Sequence, residues 1–249
     1  MDNVLSNNID LRVHIASVGF EIDRIVLPAI EMKADRVWLL LNKPESKERV
    51  YAKSIKKTLE GKNIDVKEKT VERLDPYSIL RAFNYIIEEE KENNLFINVS
   101  TGSKIQSIAG MMACMMRPQF RITPYYAEPE RYEPEKPSEQ VSYGLKRCLK
   151  LPVFEIHTPK KSLLAALNII KNEKDEKITK KKMVDLAKEN NLISLQSKKN
   201  SAIALYSSLD KNIIQPLLND WKFIKVEQVG RNRIIRLTER GREATEFLI

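Results

Sequence analysis

Ser100-Thr101-Gly102-Ser103-Lys104 puts three hydroxyls, a glycine and an ammonium in consecutive positions. Hydroxyls and exposed amides donate hydrogen bonds, glycine lets a ligand approach the backbone, and lysine adds a point charge. That combination suits an anion. Ser17-Val18-Gly19-Phe20 repeats the hydroxyl and the glycine, and adds a ring that can stack on a base. Asn42-Lys43 forms a third polar corner. The candidate ligand residues are therefore Ser17, Gly19, Phe20, Asn42, Ser100, Thr101, Gly102, Ser103 and Lys104. Neither G-x-x-x-x-G-K-[ST] nor G-x-G-x-x-G occurs, and the chain holds 7 Gly, which argues against ordinary nucleoside triphosphate hydrolysis. Of the two histidines, His14 lies mid-strand and His157 in a linker, so no general base is expected and no catalytic residue is assigned. Cys114 and Cys148 lack a CxxC partner, so no metal is expected, and a reducing cytoplasm fits their use.

The elements that must position these residues alternate. Leu11–Ser17 is a strand, Glu21–Met32 a helix with Pro28 as a discordant residue, and Arg36–Asn42 a nearly all-apolar strand. A polar amphipathic helix over Ser46–Leu59 and a strand over Ile64–Val71 follow. Asp75-Pro76 starts a helix with Ile79, Leu80, Phe83, Ile86 and Ile87 on one face. Leu95–Val99, Ser103–Met116 and Phe120–Tyr126 continue as strand, helix and strand. Continuous apolar strands are covered on both faces, so the fold class is α/β with a mostly parallel, doubly wound, Rossmann-like sheet. In such sheets ligands sit beyond the carboxyl ends of the strands, where all three polar corners fall. Glu128–Ser138, with three prolines, reads as an exposed loop, and residues 140–156 as a hairpin or sheet edge. Glu88-Glu89-Glu90 reads as a solvated helix end and Trp38 as core. Met111, Met112, Met115 and Met116 read as core or as a dimer contact.

The last third differs in charge. From Lys160 to Ile249 there are 19 Lys and Arg against 11 Asp and Glu, while the preceding residues hold 24 against 23. Most of the net +9 therefore lies in one part, which suits a polyanion partner. Helices over Lys161–Asn172, a Thr179-capped segment and Ser201–Asn219, the last either one helix or two with a break at Pro216, precede two strands joined by Val229-Gly230-Arg231-Asn232. A closing helix begins at Thr238. That is a winged helix-turn-helix. The expected domains are residues 1–157 for ligand sensing and dimerisation, and 158–249 for double-stranded DNA. Candidate DNA residues are Lys180, Lys181 and Lys182 at one helix start, and Ser207, Ser208, Lys211, Asn212 and Gln215 on the recognition helix. Arg231 and Arg233 complete the set at the wing, with Arg236 on the returning strand. The alternative is a winged helix used only for protein contacts or dimerisation. No apolar run reaches the length of a membrane span.

Ser17-Val18-Gly19-Phe20 after the first strand and Asn98-Val99-Ser100-Thr101-Gly102-Ser103-Lys104 after the fourth, joined to a winged helix, resemble the CARF (CRISPR-associated Rossmann fold) transcriptional regulators of archaea. The resemblance implies a cytoplasmic homodimer that binds a cyclic oligoadenylate, often cyclic tetra-adenylate, across the CARF interface, and promoter DNA through the winged helices. It needs no cofactor beyond that effector. Ser17, Gly19 and Phe20 would line the pocket, and Ser100 to Lys104 would grip the phosphodiester ring. The family commonly carries two adjacent glycines where this chain has Gly102-Ser103, which leaves the ring size open. The resemblance favours a regulator in CRISPR-linked defence over an enzyme. The alternatives are a metal-independent ring nuclease and a ligand-independent dimeric DNA-binding protein.

Overall fold

The computed structural model describes residues 10–132, 140–193 and 201–248. The chain divides into two units, Met1–His157 and Thr158–Ile249. Part of the loop expected over Glu128–Ser138 lies outside the described residues.

In the first unit the sheet runs β3-β2-β1-β4-β5-β6. Its strands are β1 (Arg12–Ser17), β2 (Arg36–Leu41), β3 (Asp65–Thr70), β4 (Asn94–Asn98), β5 (Ile122–Glu128) and β6 (Arg147–Lys150). All pairings are parallel except β5 with β6, so residues 147–150 form the antiparallel edge. The helices between strands are α1 (Asp23–Glu31), α2 (Arg49–Glu60), α3 (Pro76–Glu89) and α4 (Lys104–Met116). The expected Rossmann-like sheet is present.

β2 is buried from Val37 to Leu41, because its alternate residues face opposite helical layers. Val37, Leu39 and Leu41 join Ile25, Val26, Ile55 and Leu59 of α1 and α2 in one cluster. α3 and α4 pack side by side, and Gly110 of α4 lets Phe83 of α3, Ile97 of β4 and Val99 just after it come close. Asp75 caps α3 by accepting from the Tyr77 N–H at 2.9 Å. One expectation fails: Glu90 is 2% exposed rather than solvated. It accepts from Trp38 Nε1 at 2.8 Å and from Arg36 Nη1 at 2.9 Å. Glu88 and Glu89 remain exposed. The three carboxylates are alike in sequence, and only the last is met by Trp38 and Arg36 of β2, with Lys67 of β3 and Asn93 completing its partners.

His14, mid-β1, is 1% exposed. Its Nδ1 shares a 3.0 Å hydrogen bond with the Tyr125 hydroxyl, and its ring stacks on Phe96 at 5.1 Å. Burial, with a smaller contribution from the Arg12 cation, lowers its pKa to about 4. The folded chain thus resists a proton that the unfolded chain accepts near pH 6.5. Stability is fully retained above that pH and is lost as pH falls toward 4, by about 2 kcal/mol at pH 5. Urea midpoints of the wild type are expected to drop over this window more steeply than those of His14→Phe. Parallel pH profiles would show the residue to be uninvolved.

The second unit contains α5 (Lys161–Lys171), β7 (Lys177–Thr179), α6 (Lys180–Glu189) and α7 (Ser201–Leu209). β8 (Ile224–Val229), β9 (Asn232–Leu237) and α8 (Glu239–Leu248) follow. β7 was not apparent from the sequence; three residues carry no period, and it exists because it pairs antiparallel with β9. Thr179 caps α6, accepting from the Lys182 N–H at 3.2 Å. α7 does not break at Pro216. It continues through wider π-helical turns, Asp210–Ile214 and Pro216–Asp220. Such turns change the backbone pairing where proline has no N–H to give. Leu167, Ile170, Met183, Leu209, Ile213 and Ile235 are fully buried in this unit's core.

Candidate ligand and nucleic-acid sites

The order β3-β2-β1-β4-β5 reverses between β1 and β4, which lie side by side with Ala16 opposite Asn98. A crevice opens at such a switch point. The two polar turns follow these two strands, so residues more than 80 positions apart become neighbours. The Thr101 hydroxyl donates to the Ser17 carbonyl at 2.8 Å. A Cβ on Gly19 would stand 3.1 Å from the Gly102 nitrogen. Gly102 has φ +80°, a conformation for which glycine is suited.

Ser103 caps α4. Its N–H donates to Gln106 Oε1 at 2.8 Å, and the Gln106 N–H donates to the Ser103 hydroxyl at 3.3 Å. This capping box leaves the N–H groups of Gly102, Lys104 and Ile105 without a partner among the described residues. They are donors at the positive end of a helix, beside the exposed Lys104.

The structure corrects how the other hydroxyls act. Thr101 is 2% exposed and spends its hydroxyl fastening the two turns. Ser100 bonds Asn98 Oδ1 and accepts from the Ala127 N–H at 3.1 Å. Ser17 is 2% exposed and packs beneath Gly102. These three shape the turn; Gly19, Phe20, Gly102, Ser103 and Lys104 present it. The reason is that adjacent parallel strands need their turns tied, and short hydroxyl side chains reach the nearest carbonyl first. Phe20 is 37% exposed, with its ring edge-on to Tyr51 at 5.6 Å.

A small cavity of about 40 Å³ lies under the turns, lined by Val18, Gly19, Phe20, Asn42, Glu48, Arg73, Gly102, Ser103 and Gln106. Asn42, just past the end of β2, is among the residues lining it. Gln106 was missed, although Ser103-x-x-Gln106 is a readable capping box; that signal points to helix structure and not to a site. Asn98, also missed, binds the Arg24 carbonyl at 2.7 Å and holds Ser100.

In the second unit a groove of about 430 Å³ is lined by Thr179, Lys180, Lys181, Tyr206, Gln228, Arg231, Asn232 and Arg233. It brings together the α6 start, α7 and the wing. Lys181, Arg231 and Arg233 are exposed, with no ion-pair partner among the described residues. Lys180 and Lys182 behave otherwise. Lys180 Nζ lies 2.5 Å from Asp210, and Lys182 Nζ lies 2.7 Å from Glu173. Both cations fasten neighbouring segments of the domain, because each has a carboxylate within reach that the sequence placed far away. Arg236 pairs with Glu227 at 3.1 Å. Ser207, Lys211, Asn212 and Gln215 are exposed on α7 and its continuation. Ser208 is half-buried and accepts from Asn212 Nδ2 at 3.1 Å. Ser207, Ser208, Lys211 and Asn212 line a second depression of about 470 Å³. Among the described residues no His, Cys, Asp or Glu cluster could hold a metal, and no helix is long and apolar enough to cross a membrane.

Residues 12–132 match the family model HFX_2341_N-like, N-terminal, and residues 162–249 match the DUF6293 C-terminal winged helix domain. The uncharacterized protein MJ1513 of Methanocaldococcus jannaschii is 30% identical over 204 residues, which is 71% of this chain and 61% of that protein. The chain thus spans less than two thirds of that relative. Can2 from Sulfobacillus thermosulfidooxidans, solved with cyclic tetra-adenylate, aligns at 17% identity and TM-score 0.42, over 95% of this chain and 63% of its own. Enterococcus italicus Csm6, bound to cyclic hexa-2′-fluoro-hexa-dAMP, aligns at 12% identity and TM-score 0.42, over 86% and 57%. The protein combines a Rossmann-like domain with a winged helix, the architecture that the motif resemblance implies.

Proposed function

We propose that this chain, which joins an HFX_2341_N-like domain to a DUF6293 C-terminal winged helix domain, is a ligand-responsive transcriptional regulator of CRISPR-linked defence. Its effector is a cyclic oligoadenylate, with cyclic tetra-adenylate the first choice, and its target is double-stranded DNA. The observation that carries the reading is the juxtaposition of the β1 and β4 turns at the switch point. There Phe20 lines one cavity with Gly102 and Ser103, at the turn that carries the unpaired N–H groups of Gly102, Lys104 and Ile105 and the Lys104 cation. Amide donors and a cation suit phosphodiesters, and an aromatic face suits a base.

The regulator works as a homodimer in the cytoplasm. Ile108 of α4 is 60% exposed, and half-buried Ile105, Met112 and Met115 share its face. An apolar stripe beside a rim for a ring-shaped ligand supports pairing there. Sensing rather than catalysis is proposed, because the rim groups bind phosphate without supplying a general base. A ligand that favours one arrangement of the dimer changes DNA affinity.

Calorimetry with cyclic tetra-adenylate is expected to give one ring per two chains, and the ring to shift the DNA-binding midpoint. No heat with any cyclic oligoadenylate would remove the reading, and linear product would make the protein a ring nuclease. Arg231→Ala with Arg233→Ala is expected to weaken DNA binding at least tenfold, on the order of 1.4 kcal/mol or more, and to lower the salt slope by about 2. An unchanged slope would place the wing off the DNA.

A further inference from the structure

The cavity beneath the two turns contains buried polar atoms that the fold itself does not satisfy. Gln106 is 1% exposed, and its Nε2 has no hydrogen-bond partner among the described residues. Asn42 is 5% exposed, and its Oδ1 likewise has none. Both residues line the same space of about 40 Å³. The fold thus leaves a donor and an acceptor facing one space, where the polar edge of a ligand can complete their hydrogen bonds.

The orientation of Gln106 is set by the helix cap. Oε1 accepts from the Ser103 N–H at 2.8 Å, so the amide nitrogen is the atom left over. The cavity therefore offers a fixed donor, with an unpaired acceptor on Asn42. Its size is near that of one water molecule, roughly 30 Å³. It admits the edge of a base and not a whole base. Phe20 stands in the wall, where it can lie against the rest of the ring.

Resting on the reading that these turns hold a cyclic oligoadenylate, we propose that Gln106 and Asn42 form the subsite that selects adenine. Gln106 Nε2 donates to N7 of adenine, an acceptor that hypoxanthine keeps, and the exocyclic amino group donates to Asn42 Oδ1. Adenine presents an acceptor beside a donor. Hypoxanthine replaces the amino group by a carbonyl, which would face Asn42 Oδ1 acceptor to acceptor. The selectivity thus comes from the base edge, while the turn amides and Lys104 take the phosphates.

The test compares cyclic tetra-adenylate with cyclic tetra-inosinate by calorimetry. Wild type is expected to prefer the adenylate by roughly ten- to a hundredfold. Asn42→Leu keeps the volume and removes the acceptor; it is expected to bind the two rings within about threefold of each other. Gln106→Glu keeps the acceptor for the Ser103 N–H and so the cap; it is expected to fold cooperatively, with a melting temperature lowered by the buried carboxylate. Affinity for both rings should fall, because a carboxylate replaces the donor. Equal binding of the two rings by wild type, or a full adenylate preference in Asn42→Leu, would overturn the subsite and leave the ring-binding reading standing. Wild type binding neither ring would overturn both.

Discussion

Gly102→Ala is expected to abolish binding of a cyclic oligoadenylate and to destabilise the first unit by about 4 kcal/mol. Two costs combine. The residue has φ +80°, which charges an L side chain about 1–2 kcal/mol. A Cβ there would also stand 2.6 Å from Ser17 Cβ and 2.6 Å from Gln106 Oε1. Ser17 belongs to β1, which is fixed between β2 and β4, so it cannot retreat. Gln106 would have to leave the Ser103 N–H, which breaks the α4 cap. The substitution therefore disturbs the turn amides and the cavity together. Chemical denaturation and calorimetry on the same preparation check it. A variant that keeps wild-type ligand affinity would show that the turn is not where the ligand sits.

Gly241→Ala is expected to unfold the winged helix while leaving the ligand site of the first unit intact. A Cβ on Gly241 would lie 2.0 Å from the carbonyl oxygen of Phe223. That oxygen already accepts from the Thr238 N–H at 2.9 Å, and the Phe223 N–H donates to the Leu217 carbonyl at 2.8 Å. The clash is thus with backbone pinned on both sides, and relief requires α8 to move away from β8. Overpacking of this kind costs more than about 3 kcal/mol where nothing flexible can yield. Loss of DNA binding with retained calorimetric ligand binding is the expected pattern. A melt that overlays wild type would mean the helix can shift at little cost.

Much of the framework is legible in single stretches. Arg36–Leu41 is nearly all apolar because helices cover it on both faces. Asp75-Pro76 announces a helix start because both residues act locally on the first turn. Val229 to Asn232 reads as a turn, and Gly230 has φ +60° there. Where sequence reasoning missed, a distant partner decided the outcome. β7 exists through β9. Glu90 is buried because Trp38 and Arg36 reach it. Pro216 sits in a continuing helix whose backbone pairing widens around it.

The sequence by itself determined the two architectures, the basic excess of the second unit and the two polar turns after the first and fourth strands. Those features follow from local propensity, hydrophobic period and charge, which each stretch carries within itself. Only the tertiary structure decided that β1 and β4 are neighbours and that Thr101 ties their turns. It alone paired Lys180 with Asp210 and the exposed Lys182 with Glu173. It also left Gln106 and Asn42 unpaired in one cavity. The physical reason is common: strand order and packing decide which groups come within about 3 Å of a polar side chain, and so whether it finds a partner there.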